Sequence, residues 1–250
     1  MARIIAIGNQ KGGVCKTTTA AAMGGALRLK GYKVLCVDCD PQADLTFTMG
    51  GNQKGVTLED LLRGTSSVDE AIQQTRNGDI IAACADMASA DKWLTDPKAL
   101  RKVLKPVQQK YDYIVIDTPR ALAMLAIVAF AAADDVIVTA TADVYTLNAI
   151  LQLAETIAVI RNDVSSSLRI AGILLCKQDS RTNIGRDVEE ILREKAKTLG
   201  TKVYRTTIRQ AKHVREAALL QQDLFMYAPN CNPAIDYLAF TEEYLTDKKK

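Results

Sequence analysis

Lys16 and Thr17 follow two adjacent glycines, Gly12 and Gly13, within the stretch NQKGGVCKTTT from Asn9 to Thr19. A turn with so little side-chain bulk lets successive backbone N–H groups converge on phosphate oxygens. A lysine beside it neutralises the outer phosphates, and a hydroxyl binds Mg²⁺. That chemistry needs a strand leading into the turn and a helix leading out, with the positive end of the helix facing the anion. Arg3 to Gly8, RIIAIG, reads as the strand, and Thr17 to Lys30 as the helix. Carboxylates follow at two later strand ends: Asp38 and Asp40 close VLCVDCD, and Asp117 closes YDYIVID.

Such residues need a scaffold that brings several strand ends to one edge. Further apolar runs bounded by turn signals predict strands at Lys33 to Asp38, Ile80 to Ala83, Tyr113 to Asp117, Asp135 to Thr139, Ile170 to Cys176 and Lys202 to Thr206. Helical patterns at Pro97 to Lys110, Leu147 to Asn162 and Ile184 to Leu199 fall between them, and Ala121 to Ala133 reads as a buried helix. Most of the strands are apolar throughout, as in strands covered on both faces. The expectation is an α/β fold with a doubly wound, mostly parallel sheet, spanning 1–250 as one domain.

The segment KGGVCKTTT resembles the deviant Walker A phosphate loop of the ParA/MinD superfamily, whose pattern is K-G-G-x-G-K-T-T. The resemblance implies a P-loop ATPase using ATP and Mg²⁺, with Lys11, Gly12, Gly13, Val14, Cys15, Lys16, Thr17 and Thr18 as the nucleotide-binding set. In that family the extra lysine, here Lys11, crosses a dimer interface to the phosphates of the other subunit, a role comparable to an arginine finger. Val34 to Thr46, VLCVDCDPQADLT, is similar to the family's D-x-D-P-Q segment. It implies that Asp40 orients the attacking water while Asp38 supports the local charges. YDYIVIDTP resembles the family's Walker B strand and implies that Asp117 holds the metal through water, opposite Thr17. Lys11 and Asp40 are thus the catalytic candidates. The segments KQDSRTN and TTIRQAKHVREA, with the closing LFMYAPNCNPAIDYLAFTEEYL, extend the likeness to partition ATPases over almost the whole chain. The loop starts within ten residues of Met1, which suggests a form without an N-terminal DNA-reading domain.

The sequence departs from that family at several positions. Cys15 stands where the pattern has glycine, at a position expected to be left-handed, where a side chain costs about 1–2 kcal/mol. After Asp117 the usual polar residues give way to Arg120, Ala123, Ala126 and Val128. These changes bear on hydrolysis and on the link between nucleotide and dimer.

A net charge of +3 is too small to name a partner. Between Lys177 and Arg215, however, bases outnumber acids, and Arg186, Arg193, Lys195, Lys197, Arg209, Lys212 and Arg215 are the candidates for sequence-independent contact with DNA phosphates. The resemblance implies a homodimer sandwiching ATP, binding non-specific DNA and meeting a ParB-type centromere-binding adaptor, in a cytoplasmic, nucleoid-associated protein. No membrane role is expected: the run Ala121 to Ala133 is short of the roughly 20 residues of a span. The closing helix carries Asp236, Glu242 and Glu243, and its apolar Ile235, Leu238, Ala239 and Tyr244 are expected to pack on the body. MARIIAIG does not read as a secretory signal, so the cysteines are expected as reduced thiols. Cys36 and Cys39, three apart on a strand, should face opposite ways, and Cys84, Cys176 and Cys231 form no recognisable ligand set. Two other readings stay open: a nucleotide-inactive DNA-binding or scaffold protein on this fold, and a MinD-like membrane-positioning ATPase.

Overall fold

A computed structural model of the chain describes residues 1–143, 146–178 and 183–247, without the side chains of 178 and 183–187. The described strands are β1 (Arg3–Gly8), β2 (Val34–Asp38), β3 (Ile72–Thr75), β4 (Gly78–Ile81), β5 (Tyr113–Asp117), β6 (Asp135–Ala140), β7 (Arg169–Gln178) and β8 (Ile208–Arg209). They form one sheet in the order β3-β4-β2-β5-β1-β6-β7-β8. Every pairing is parallel except that of β3 with β4, a hairpin at the sheet's end.

Helices cover both faces, because residues along each central strand alternate between two apolar clusters. Ile4, Ala6, Ile114 and Ile116 belong to one cluster, and Ile5, Ile7 and Val115 to the other. Over the second face lie α1 (Lys16–Leu29), α2 (Asp44–Met49), and, at the end of the chain, three more helices. Over the first face lie α3 (Leu58–Arg63), α4 (Val68–Ala71), α5 (Ala99–Leu104), α6 (Met124–Ala132), α7 (Thr146–Asp163) and α8 (Asn183–Thr198). The three late helices are α9 (His213–Leu219), α10 (Leu224–Tyr227) and α11 (Asn232–Asp247). Doubly wound packing follows from this two-sided burial, as the sequence predicted.

Two expectations change. Lys202 to Thr206 makes only an isolated bridge, Val203 to Ile173, and the strand beside β7 is β8. The N–H groups of Arg205 and Thr206 instead donate to the Glu243 carboxylate at 2.8 and 2.9 Å, so they take no place in a ladder. On α11 Tyr244 is buried and Leu238 partly so, as expected, beside Ala234, Tyr237 and Phe240, whereas Ile235 and Ala239 are exposed. Aromatic hydroxyls set this rotation: Tyr237 shares a hydrogen bond with Thr19 at 3.0 Å, and Tyr244 donates to Asp135 at 2.6 Å.

One close approach fixes where the first loop starts. A Cβ at Gly8 would lie 2.8 Å from the Phe130 ring, so glycine there lets α6 pack under the end of β1. Burying Phe130 contributes about 1.5–3 kcal/mol to that contact.

Candidate functional site

Beyond Gly8 the chain turns over the carboxyl edge of the sheet and enters α1 at Lys16. Gly13 has φ 75°, and Cys15, the N-cap of α1, has φ 67° and ψ 25°. Cys15 therefore sits in the left-handed conformation anticipated for it. Asn9 braces the loop: its Nδ2 donates to the Thr139 carbonyl at 2.6 Å, and its Oδ1 accepts from the Lys11 N–H at 2.9 Å. From β7, Lys177 Nζ donates to the Gly13 carbonyl at 2.7 Å. The Arg120 guanidinium lies over Gly12, where a Cβ would approach its Nη1 to 2.9 Å.

Beneath the loop lies a buried charge cluster. Lys16 is buried, and that burial lowers its pKa; Asp117 and Asp40 oppose the fall and Arg120 adds to it. Asp38 and Asp117 face each other in the β2–β5 register, and both are fully buried. Burial raises Asp38 to about 6, although it accepts hydrogen bonds from the Asp40 N–H at 3.0 Å and from the N–H and hydroxyl of Thr46, both at 2.8 Å. Asp117 is pushed well above the carboxylate range by burial and then by Asp38, with the Thr17 hydroxyl and Lys16 drawing it down in part. Among the described residues neither Asp117 oxygen finds a hydrogen-bond partner of good geometry, though both are buried. A buried, under-coordinated carboxylate next to a threonine hydroxyl fits a hydrated divalent cation, whose charge would offset the repulsion between the two acids.

Above this cluster opens a cleft of about 710 Å³, a size suited to a small organic ligand. Gly13, Cys15, Lys16, Thr17, Thr18 and Asp40 line it, whereas Lys11, Gly12 and Val14 do not, and Val14 is buried. Arg120 and Lys177 join that wall, and the facing wall comes from Ile208 to Glu216. Asp40 also accepts from the Gln42 N–H at 3.0 Å, which holds its carboxylate at the rim. The cleft carries more cations than carboxylates, a field that suits a polyanion. Lys11 Nζ pairs with Asp143 of the same chain, which also accepts from the Thr141 hydroxyl at 2.6 Å.

The basic stretch divides. Arg209 forks onto Asp236, Arg193 pairs with Glu189, and Lys212 lies 3.3 Å from Glu216. Arg209, Lys212 and Arg215 line the cleft, whereas Lys195 and Lys197 are exposed on α8. The Arg186 side chain and the whole of Arg181 lie outside the described residues. Sequence reasoning registered Arg120 only as a departure and Lys177 only as part of a basic excess. Their positions just past the ends of β5 and near the end of β7 were the available signal, since parallel sheets meet ligands at carboxyl ends. Cys36 and Cys39 belong to opposite-face clusters, and among the described residues no group of ligating side chains forms a metal site of three or more. Among the described residues no helix is long and apolar enough to cross a membrane.

The family model AAA_31, described as an AAA domain, matches residues 2–170. The chain is 36% identical to the sporulation initiation inhibitor protein Soj of Bacillus subtilis, over 97% of this chain and 98% of Soj. It is 32% identical to the chromosome partitioning protein ParA of Caulobacter vibrioides, over 99% of this chain and 95% of that protein. The chain belongs to the ParA/MinD superfamily. Within the superfamily its relatives make it a partition or positioning type of P-loop ATPase. The fold is also that of a cobyrinic acid a,c-diamide synthase from Mycobacterium smegmatis, solved with bound ADP and magnesium: TM-score 0.84, 29% identity, 100% of this chain and 96% of that one. The eight-stranded, mostly parallel sheet with flanking helices also matches the cell division ATPase MinD of Pyrococcus furiosus: TM-score 0.82, 27% identity, 100% of both chains.

Proposed function

We propose that the chain is an ATP-dependent DNA partition ATPase, working as one unit over 1–250. The observation that carries this reading is the buried Lys16 at the start of α1, with Asp117 beneath it and Asp40 beside it. The N–H groups of Gly13 to Thr18 cradle the phosphates of ATP, and Lys16 and the positive end of α1 balance their charge. Thr17 and Asp117 would hold Mg²⁺, whose positive charge would offset the charge developing on the phosphoryl oxygens. Asp40, at the rim, orients the attacking water.

Lys11 serves the phosphates of a second subunit, for which it must leave Asp143. The dimer so formed binds DNA non-specifically through exposed cations such as Lys195 and Lys197, and a ParB-type adaptor stimulates turnover. The protein is then cytoplasmic and nucleoid-associated. The apolar face of α11 is spent on Tyr237, Phe240 and Tyr244 inside the body, which supports DNA over a lipid surface as its support. The left-handed Cys15 favours slow turnover.

The test is ATP binding and hydrolysis with and without duplex DNA, for the chain and for Lys16→Ala. Saturable Mg²⁺-dependent binding lost in Lys16→Ala, with turnover raised by DNA, is the expected result. Equal binding by both proteins sinks the assignment.

A further inference from the structure

We propose that Cys15 and Cys176 form an oxidisable dithiol, and that a hydroperoxide-class oxidant closes a disulfide between them which shuts the phosphate loop. The closure of the loop rests on the nucleotide site proposed above; the dithiol does not.

The geometry brings the pair together from two elements. Cys15 is the last residue before α1 and lines the cleft, half-buried, so a small oxidant reaches it. Cys176 lies near the end of β7, fully buried in the apolar cluster against which Cys15 packs, and the two thiols interact side chain to side chain. The next residue, Lys177, holds the Gly13 carbonyl at 2.7 Å, so strand and loop are already stitched together beside the two sulfurs. Cys36 and Cys39 have no such neighbour: they are buried on opposite faces of the sheet.

The pair is also divided in role. Cys15 lines the cleft and is open to a small oxidant, whereas Cys176 is fully buried behind it. Cys15 is therefore the attacking sulfur and Cys176 the resolving one.

In the first step the Cys15 thiolate attacks one peroxide oxygen, the O–O bond breaks, and sulfenic acid and hydroxide form. In the second, the Cys176 sulfur attacks the sulfenic sulfur and the S–O bond breaks; the Cys176 proton leaves with the hydroxide as water. Two thiols lose two electrons, and one hydroperoxide is reduced. The bridge fixes the residue before Lys16 to β7, so the loop can no longer adjust around phosphate. A bound triphosphate in turn covers Cys15 and slows its oxidation.

The experiment treats the full reduced chain with hydrogen peroxide, with and without Mg·ATP, and maps peptides without reductant. The expected result is a mass loss of about 2 Da, a joined Cys15–Cys176 peptide and reversal by dithiothreitol. Cys176→Ala should stop at a dimedone-reactive sulfenic acid on Cys15 while binding nucleotide as the reduced chain does. Cys15→Ala should yield no joined peptide, which keeps the assignment checkable if Cys176→Ala misfolds. Oxidised chain should bind a fluorescent ATP analogue at least about tenfold more weakly than reduced chain. No joined peptide in the wild-type chain, or one joining other cysteines, overturns the dithiol. A joined peptide without change in nucleotide affinity overturns the closure. A reduced chain that binds no nucleotide counts against the nucleotide site itself, while the peptide map still decides the dithiol.

Discussion

Asp38 and Asp117 are register partners on β2 and β5, both fully buried, and Asp38 accepts from the N–H and hydroxyl of Thr46 whereas, among the described residues, Asp117 has no side-chain hydrogen bond of good geometry. Burial and their mutual repulsion disfavour the charged form of each, so the pair is a place of stored electrostatic cost. Asp117→Asn replaces a buried acid whose charged form is disfavoured with a neutral side chain of the same shape, so the protein without added Mg²⁺ should melt higher, by about 2–4 °C for each kcal/mol recovered. Mg²⁺-dependent nucleotide binding should fall by about 10–100-fold in the same variant. A lower melting point together with intact Mg²⁺ dependence would contradict both halves.

The same cluster fixes a pH dependence. The folded pKa of Asp38, about 6, is above its unfolded value, so between the two the folded chain carries a proton that the unfolded chain has released. Stability from this group is therefore fully present below the unfolded value, declines as pH rises through about 6, and is then lost. Asp38→Asn should flatten that part of a urea-unfolding series taken from pH 4 to pH 8.

Asp135 does the opposite. Burial would raise it, but hydrogen bonds from Arg3, Tyr244 and Arg169 hold it at about 2. Its contribution is present above the unfolded value and disappears as pH falls toward about 2. Asp135→Asn leaves two half-exposed guanidinium groups without their shared acid and should cost about 1.5–3 kcal/mol at neutral pH, read from urea unfolding.

Cys15→Gly relieves a side chain at φ 67° and opens space above the loop. ATP affinity measured by calorimetry should rise by about tenfold, equivalent to roughly 1.4 kcal/mol. Unchanged affinity would show that the loop accommodates the thiol without loss.

Lys195 and Lys197 are exposed near the end of α8, so changing both to Glu should leave the melting point unaltered. DNA affinity should fall, and the slope of log affinity against log salt should shrink by about 2. Arg209→Ala is the contrasting case. It strands Asp236, a buried acid that also accepts from the Arg209 N–H at 2.9 Å, and should destabilise the fold. If both variants behave alike, α8 is not a DNA-contacting face.

Much of this was legible because strand ends announce themselves. RIIAIG and YIVID are continuously apolar and stop at glycine or aspartate, and β1 and β5 begin and end at the predicted residues. The hairpin of β3 and β4 was half seen: Asn77-Gly78 is a turn signal, but the polar IQQT before it hid an edge strand that has little to bury. The buried face of α11 was half legible: Tyr244 and, in part, Leu238 pack inward as expected, but Ile235 and Ala239 face outward, in a rotation held by two tyrosine hydroxyls. The contacts of Lys177 with Gly13 and of Arg120 over Gly12 had no spacing rule to reveal them. They join segments far apart in the chain, and only the fold brings them together.

The two outermost strands of the sheet, β3 and β8, run for only 4 and 2 residues. Neither offers a backbone rail long enough for a second chain to zip onto. Among the described strands the sheet edges therefore offer little to a second copy, which leaves loops and helix surfaces, the turn between β1 and α1 among them, for self-association and disfavours fibre-like stacking.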